Sequence, residues 1–221
     1  SQIVLLTLAM AMIFWMPFML IACGKEAKPV SSHGSHASLD YDLKETSLEK
    51  EVRKLMEKGI TLEERRRQVP VIEAAFAERT TPERARNLAA LCYLKTLGSP
   101  FTPLDLAEIA LVESGGHSLS SKAKSTMGAI GVWQLMPKQA MSHGYTPKEM
   151  HDDEKCAEAA VRALLSKLEI AGGNMDLAKK YYCGVGPQAD AYLVKIKNVR
   201  TILRAELDRA YARVALNTKT E

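Results

Sequence analysis

Residues that typically start and end α-helices recur along this chain, and they favour a mainly helical structure. Three Thr-Pro pairs stand where helices are expected to start: Thr81-Pro82, Thr102-Pro103 and Thr146-Pro147. A threonine at the N-cap accepts one otherwise unpaired backbone N–H, and a proline at the first helical position removes another. At Thr102 the signal is stronger, because Asp105 occupies the acidic position of a capping box.

Helical spacing of apolar residues begins at about Leu48. A first amphipathic helix is predicted over residues 47–60, with Gly59 as its natural stop. A second is predicted over residues 61–78, and Pro70 is expected to kink or break it because proline removes a backbone donor inside the helix.

The second half of the chain continues the same pattern. Predicted helices end at Gly172-Gly173 and at Gly184, and the last one runs from about Gln188 to Val214. Its apolar stripe consists of Tyr192, Ile196, Val199, Leu203, Leu207, Ala210 and Val214. Since no segment alternates apolar and polar residues as a strand does, the predicted fold class is all-α.

The N-terminal segment has a different character. Residues 1–22 contain no charged side chain and lead into Leu20-Ile21-Ala22-Cys23. The apolar run is nearly long enough to span a bilayer, but Pro17 and the abrupt change to polar residues favour a secretory signal with a processing site. The last four residues resemble the lipobox of bacterial lipoproteins, in which the cysteine is acylated. A plain N-terminal membrane anchor is the alternative, and both place residues 24–221 outside the cytoplasm.

The residues around Cys23 lead to further expectations. Gly24 rather than Asp follows the cysteine, which favours the periplasmic face of the outer membrane; inner-membrane anchoring and secretion are alternatives. The basic segment that normally precedes such an apolar run is missing, so we expect the natural chain to begin further upstream. Residues 24–38 predict a flexible tether, in which His33 and His36 are expected to be solvated rather than to bind metal.

Charge and cysteine content narrow the possible functions. The 221 residues include 30 Lys and Arg against 26 Asp and Glu. No stripe of basic residues interleaved with aromatic ones is present, which argues against nucleic acid as a partner.

Besides Cys23 the chain has three cysteines, Cys92, Cys156 and Cys183. At most one intrachain disulfide can therefore form among these three, and Cys156–Cys183 is one conceivable pair. No zinc-ligand spacing is present, and we expect neither a metal nor a cofactor.

The stretch "LVESGGHSLSSKAKSTMGAIGVWQLMP", residues 111–137, carries the main candidate site. Glu113 follows Ile109 by four residues and Leu106 by seven, which places all three on the apolar face of one helix. Burial there would raise the pKa of the carboxyl and keep a proton available for glycosidic-bond cleavage. Alternatively, the side chain reaches out to water; helix geometry alone leaves both open.

Several elements, in order, resemble the lysozyme-like domain of lytic transglycosylases of the soluble-lytic-transglycosylase (SLT) type. They are Glu113-Ser114, Gly128-Ala129-Ile130-Gly131, Gln134-Leu135-Met136-Pro137, Gly172-Gly173-Asn174 and Tyr181-Tyr182-Cys183-Gly184-Val185-Gly186. The resemblance covers about residues 100–200. It implies a lysozyme-like helical domain in which Glu113 is the catalytic acid and Gln134 positions the substrate. It also implies a tyrosine near the reacting sugar and a groove shaped by Ser114 and Gly131.

The family's chemistry needs only one carboxylate. The glutamate protonates the glycosidic oxygen between N-acetylmuramic acid and N-acetylglucosamine, and then acts as base toward the muramic 6-hydroxyl, which closes onto C1 to give a 1,6-anhydro product. A glycosidase that uses water needs a second carboxylate roughly 5–9 Å from the first. The loop 115–127 has none, Glu108 points to another helix face, and Asp105 lies about 12 Å away along the axis. Asp152 or Asp153 could still reach the cleft.

Two departures from the family pattern lie in the groove region. The segment between Glu113 and Gly128 is three residues longer than the family's usual spacing. Trp133 replaces the family's methionine, and it either stacks on a sugar face or packs inside the protein.

A third departure concerns the family tyrosine. Counting back from Gly184 aligns it with Tyr181, whereas counting forward from Gly172-Gly173-Asn174 aligns it with Tyr182. We favour Tyr181, which leaves the family's asparagine without a counterpart.

These features predict five segments. They are a signal peptide over residues 1–22, an acylated cysteine and tether over 23–46, a helical extension over 47–98, the transglycosylase domain over 99–205, and a helix end and tail over 206–221. The leading hypothesis is a lipid-anchored lytic transglycosylase acting on peptidoglycan glycan strands. The alternatives are a muramidase that uses water and a catalytically idle, peptidoglycan-binding lipoprotein of a secretion or conjugation apparatus.

Overall fold

The computed structural model describes residues 60–113 and 118–217, with side chains described as far as residue 213. Within these ranges the chain forms seven α-helices. They are α1 (Leu62–Ala77), α2 (Pro82–Thr96), α3 (Pro103–Glu113), α4 (Pro137–Ser142), α5 (Asp153–Ile170), α6 (Met175–Cys183) and α7 (Pro187–Asn217), with a 3₁₀ helix, Pro147–His151, before α5. The described ranges contain isolated bridges at Lys124–Ile130 and Ile130–Leu135 but no strand, which confirms the all-α prediction.

The predicted capping chemistry starts the helices. Thr81 caps α2 with its side chain. Thr102 and Asp105 form the predicted capping box of α3, with the Thr102 N–H donating to the Asp105 carboxylate at 2.7 Å. Thr146 does the same with Glu149, also at 2.7 Å, although the helix that follows is a 3₁₀ helix rather than an α-helix.

Of the two outcomes predicted for Pro70, a kink or a break in its helix, the break does not occur. The helix α1 continues through Pro70 to its end at Ala77. Pro70 is exposed, so the carbonyl that loses its N–H partner can be hydrated, and this reduces the usual penalty. A capping box between Thr61 and Glu64 stabilises the start of the helix. The helix predicted over residues 47–60 lies outside the described residues except for its last position.

One hydrophobic core joins α1 and α2 to the later helices. Its largest fully buried apolar side chains include Ile72, Phe76, Leu88, Phe101, Leu106, Ile109, Trp133, Met150 and Leu164. The buried Arg65 of α1 adds polar contacts, donating to the carbonyls of Thr96 at 3.2 Å and Phe101 at 2.8 Å. The start of α3 is therefore fixed by α1 and by the end of α2.

The long helix α7 packs with its predicted apolar stripe inward. Tyr192, Ile196 and Leu203 are buried, and the stripe positions between and beyond them that have described side chains are half-buried. Burying this stripe supplies most of the hydrophobic stabilisation that holds so long a helix on the domain.

A buried ion cluster ties α3, α6 and α7 together. Glu108 is 2% exposed and accepts hydrogen bonds from Lys179 and from Arg200, the latter at 3.0 Å. Lys179 also reaches Asp105 at 2.6 Å, and Arg200 reaches Asp176 at 2.7 Å. Buried charges require such partners. Two of the acids considered as second carboxylates are therefore engaged in this cluster.

None of the helices in the described ranges is long and apolar enough to cross a bilayer. The apolar residues 3–22, the lipobox with Cys23 and the predicted tether all lie outside those ranges, so the expectations for them stay predictions.

Candidate active site

Glu113 is the last residue of α3 and lies at the edge of the core. Its side chain is half-buried, and burial raises the pKa of the carboxyl to about 7, while the Tyr192 hydroxyl and the Lys195 ammonium oppose the increase. Near neutral pH the group therefore populates both its acid and its base form. A group that must first give and then take a proton needs such a balance.

Tyr192 of α7 is a site residue that the sequence indicated only as part of an apolar stripe. The residue is 7% exposed, and its hydroxyl is buried without a well-formed hydrogen bond to any described residue. The hydroxyl is nevertheless close enough to lower the pKa of Glu113, while burial and then the Glu113 charge raise the pKa of Tyr192. The one available signal was chemical: a buried tyrosine hydroxyl needs a polar neighbour.

The two adjacent tyrosines of α6 both reach the site region but differ in exposure. Tyr182 is buried and donates to the Trp133 carbonyl at 2.9 Å, and its pKa is raised by burial and by the charge of Glu113. Tyr181 is half-buried and lines an open groove. The hydroxyl of Tyr182 is thus committed to the backbone, whereas Tyr181 faces space that a substrate can occupy.

Gly131 allows its loop to approach two other segments of the chain closely. It has a φ of +80°, and a Cβ built on it would lie 2.3 Å from the Met150 carbonyl oxygen and 2.7 Å from the Cys156 sulfur. Its loop therefore packs directly on the 3₁₀ helix and on α5. Gly128 also has a positive φ, +89°, but a Cβ there would meet nothing within 4 Å.

Gln134 uses part of its side chain to hold its own loop. It is 8% exposed, has a φ of +49°, and donates from Nε2 to the Gly131 carbonyl at 2.7 Å. Its Oε1 has no partner among the described residues and is the atom available to a substrate. The predicted contact with substrate stays a prediction.

Trp133 is fully buried, and its indole N–H donates to the Leu106 carbonyl at 3.0 Å. Of the two roles open from the sequence, stacking on a sugar and packing, the structure places it in the packing role. Full burial leaves no ring face for a sugar. The side chain instead joins the Gly131 loop to the first turn of α3, and this holds the loop beside the helix that ends in Glu113.

A groove of about 760 Å³ opens beside these residues. It is lined by the start of α4, by Lys167 of α5, and by the end of α6, with Met127 at its edge. Tyr182 and Cys183 on its wall lie close enough to Glu113 for the charge of the glutamate to raise the pKa of both side chains. No Asp or Glu is among its described lining residues.

Asp152 and Asp153, the remaining candidates for a second carboxylate, are both engaged elsewhere. Asp152 caps α5 by accepting from the Lys155 N–H at 3.0 Å. Asp153 forms a bidentate salt bridge with Arg84, with N–O distances of 2.7 and 3.0 Å. Neither lines the groove. Ser114 falls in the undescribed residues 114–117, and its role stays a prediction.

The cysteines Cys92, Cys156 and Cys183 are free thiols, so the conceivable Cys156–Cys183 pair is not formed. Cys92 and Cys156 are buried, which raises the pKa of both thiols, and Cys183 is exposed on the groove wall. Among the described residues no group of three or more His, Cys, Asp and Glu side chains is placed to hold a metal ion.

Replacing Tyr192 by phenylalanine is expected to shift the pH dependence of the reaction without loss of the fold. The hydroxyl lowers the pKa of Glu113, so removing it should raise that pKa further and move the alkaline fall of kcat/KM to higher pH. Rate profiles against pH check the shift, and a shift to lower pH would contradict it. Tyr182→Phe is the matched control: it leaves the buried Trp133 carbonyl unpaired and should cost about 1–3 kcal/mol of stability.

The family model of the transglycosylase SLT domain matches residues 101–193. Comparisons with curated proteins and with solved structures find no match. The matched range begins just before α3 and ends in the first turns of α7, so it contains Glu113, the Gly131 loop, the groove and Tyr192. This confirms the family recognised from the motifs. Residues 101–193 therefore form a transglycosylase SLT domain, the lysozyme-like all-α domain of lytic transglycosylases.

Proposed function

We propose that this chain is a peptidoglycan lytic transglycosylase, which cleaves the β-1,4 bond between N-acetylmuramic acid and N-acetylglucosamine without water and leaves 1,6-anhydro ends. The observation that carries the proposal is a single carboxyl with a pKa of about 7 beside a groove whose described walls contain no second acid. The SLT family match supports peptidoglycan as the substrate.

The first step uses Glu113 as an acid. The protonated carboxyl donates to the glycosidic oxygen while the bond from that oxygen to C1 of the muramic acid breaks, and positive charge develops at C1. The newly formed Glu113 carboxylate lies against that charge. The Tyr192 hydroxyl and the Lys195 ammonium, which favour the ionised form of Glu113, stabilise the carboxylate at this stage.

The second step uses the same residue as a base. The carboxylate takes the proton of the muramic 6-hydroxyl as its oxygen bonds to C1, which restores the protonated glutamate and closes the anhydro ring. An attacking group that belongs to the substrate is already in place, so no further carboxylate is needed to activate water. A muramidase would need that second acid, and the positions of Asp152 and Asp153 do not supply it.

Mass spectrometry of digested sacculi tests the proposal. Purified peptidoglycan incubated with the full chain should release muropeptides with anhydro ends. Reducing ends would instead show a muramidase, and an absence of soluble products would show a catalytically idle binding protein.

We also propose that Cys23 is acylated and anchors the chain in the cell envelope, at the periplasmic face of the outer membrane. The support is the apolar run that ends in Leu20-Ile21-Ala22-Cys23. Replacing Cys23 by serine should abolish palmitate labelling and leave an unprocessed precursor. Normal labelling of that variant would contradict the lipoprotein assignment. Association with a secretion or conjugation apparatus stays a prediction.

A further inference from the structure

The described lining of the groove carries positive charge and no negative charge. Lys138, in the first turn of α4, and Lys167 of α5 both line it. Neither has an Asp or Glu within salt-bridge distance among the described residues, whereas Lys95, Lys155 and Lys180 each do. Two uncompensated cations therefore face a cavity whose described lining contains no acid.

The surrounding charges do not cancel those of the two lysines. His143, just past α4, has its pKa lowered by burial and then by the nearby charges of Arg162 and Lys167. Arg162 is itself paired with Glu158 at 2.7 Å. Glu169 lines the neighbouring depression of about 460 Å³ and not the groove. The two lysines thus keep an unopposed charge toward the groove.

The glycan backbone of peptidoglycan does not account for that charge. Its alternating acetylated sugars are neutral, and the anionic groups of the polymer are in the short peptide stems carried by the lactyl group of muramic acid. Those stems contain acidic residues and end in a free carboxylate. They also carry alanine methyl groups, and the groove presents two apolar side chains to them, Met127 and Met136, which are 79% and 41% exposed.

We propose that Lys138 and Lys167 bind the carboxylates of a peptide stem, so that this chain prefers glycan strands that still carry their stems over denuded strands. This inference rests on the proposed function for its substrate, but it concerns binding and can be tested without turnover. Ammonium groups act here as point charges and suit carboxylates whose position varies along a flexible peptide.

The test measures binding of soluble glycan strands, with stems and with the stems removed by an amidase. All proteins are full-length and carry Glu113→Gln, so that turnover does not interfere. The protein with both lysines intact should bind stem-bearing strands more tightly than denuded strands. The double change Lys138→Gln and Lys167→Gln should weaken the binding of stem-bearing strands about five- to twentyfold. Binding of denuded strands should stay unchanged. Added salt should reduce the preference of the protein with intact lysines.

Two controls separate the inference from general effects. Lys148→Gln removes an exposed lysine of the 3₁₀ helix that does not line the groove, and it should leave both affinities unchanged. Lys167→Arg should retain the preference, since it keeps the charge.

Equal loss on both substrates, or no loss on stem-bearing strands, would overturn the inference. Failure of the proposed function would give a different result: the protein that retains Glu113 would release no anhydro products from sacculi.

Discussion

Glu113→Gln should abolish glycan cleavage while leaving the protein folded. The amide keeps the shape of the side chain and most of its hydrogen bonding but cannot give up a proton to the glycosidic oxygen. A positioned general acid contributes about 10²–10⁴ in rate, and here one residue serves in both steps, so the loss should reach at least the upper part of that range. The measurement is release of anhydro muropeptides from sacculi per unit time.

The comparison variants are Asp152→Asn and Asp153→Asn. Both should retain the rate of chemistry, and Asp153→Asn should lose stability because Arg84 is left without its carboxylate partner. If Glu113→Gln keeps more than about a tenth of the wild-type rate, the loss falls well short of that expected for a general acid, and another carboxylate must perform the chemistry.

Glu113→Gln should also change the stability of the protein, in a direction that follows from the pKa of the carboxyl it removes. The carboxyl of Glu113 has a folded-state pKa of about 7, above its ordinary 4.5. Below pH 4.5 it is protonated in both the folded and the unfolded state. As pH rises from there through 7, the unfolded state ionises first, and the wild-type protein loses stability relative to the glutamine variant. The difference in Tm should therefore grow across this window and level off above it.

Gly131→Ala should be among the most destabilising single changes in the described part of the chain. The new methyl group would stand 2.3 Å from the Met150 carbonyl oxygen and 2.7 Å from the Cys156 sulfur, and the alanine would have to adopt a φ of +80°. Backbone strain and overpacking together predict a loss of about 2–5 kcal/mol. Since the obstructing oxygen belongs to the backbone of the 3₁₀ helix, a change of side-chain rotamer cannot relieve the clash.

Gly128→Ala separates the two contributions. Its φ is +89°, but the added carbon meets nothing within 4 Å, so only the conformational strain of about 1–2 kcal/mol should appear. Thermal or denaturant unfolding of both variants measures the difference. Equal losses would mean that the loop does not pack on Met150 and Cys156 as described.

The sequence predicts the helices well because their signals are local. The Thr102–Asp105 capping box involves neighbouring residues, and the apolar face of α3 follows from spacing within one helix, so both could be recognised without knowing the fold. Gly131 was identified as a groove residue because it lies in a short local motif. Its close approach to Met150 is set by how the 3₁₀ helix packs and could not be inferred from spacing.

The parts that the sequence did not predict depend on contacts between distant segments. The sequence predicts Tyr192 only as a core residue of α7, because the contact between its hydroxyl and Glu113 depends on how α7 packs against the end of α3. Trp133 left two roles open, because the choice between sugar stacking and packing depends on whether α3 covers the ring. Lys138 and Lys167 lie on different helices, and only the folded structure brings both to one groove.

The central claim is that one carboxyl, tuned by burial, performs both proton transfers. The most direct test is to titrate the Glu113 carboxyl by carbon-detected NMR. Its signal is assigned by its loss in Glu113→Gln, and the titration curve is compared with the pH profile of kcat/KM. We expect a midpoint of about 7 for that carboxyl and an alkaline fall in rate at the same pH. A midpoint near the ordinary 4.5, with activity persisting well above it, would contradict the claim.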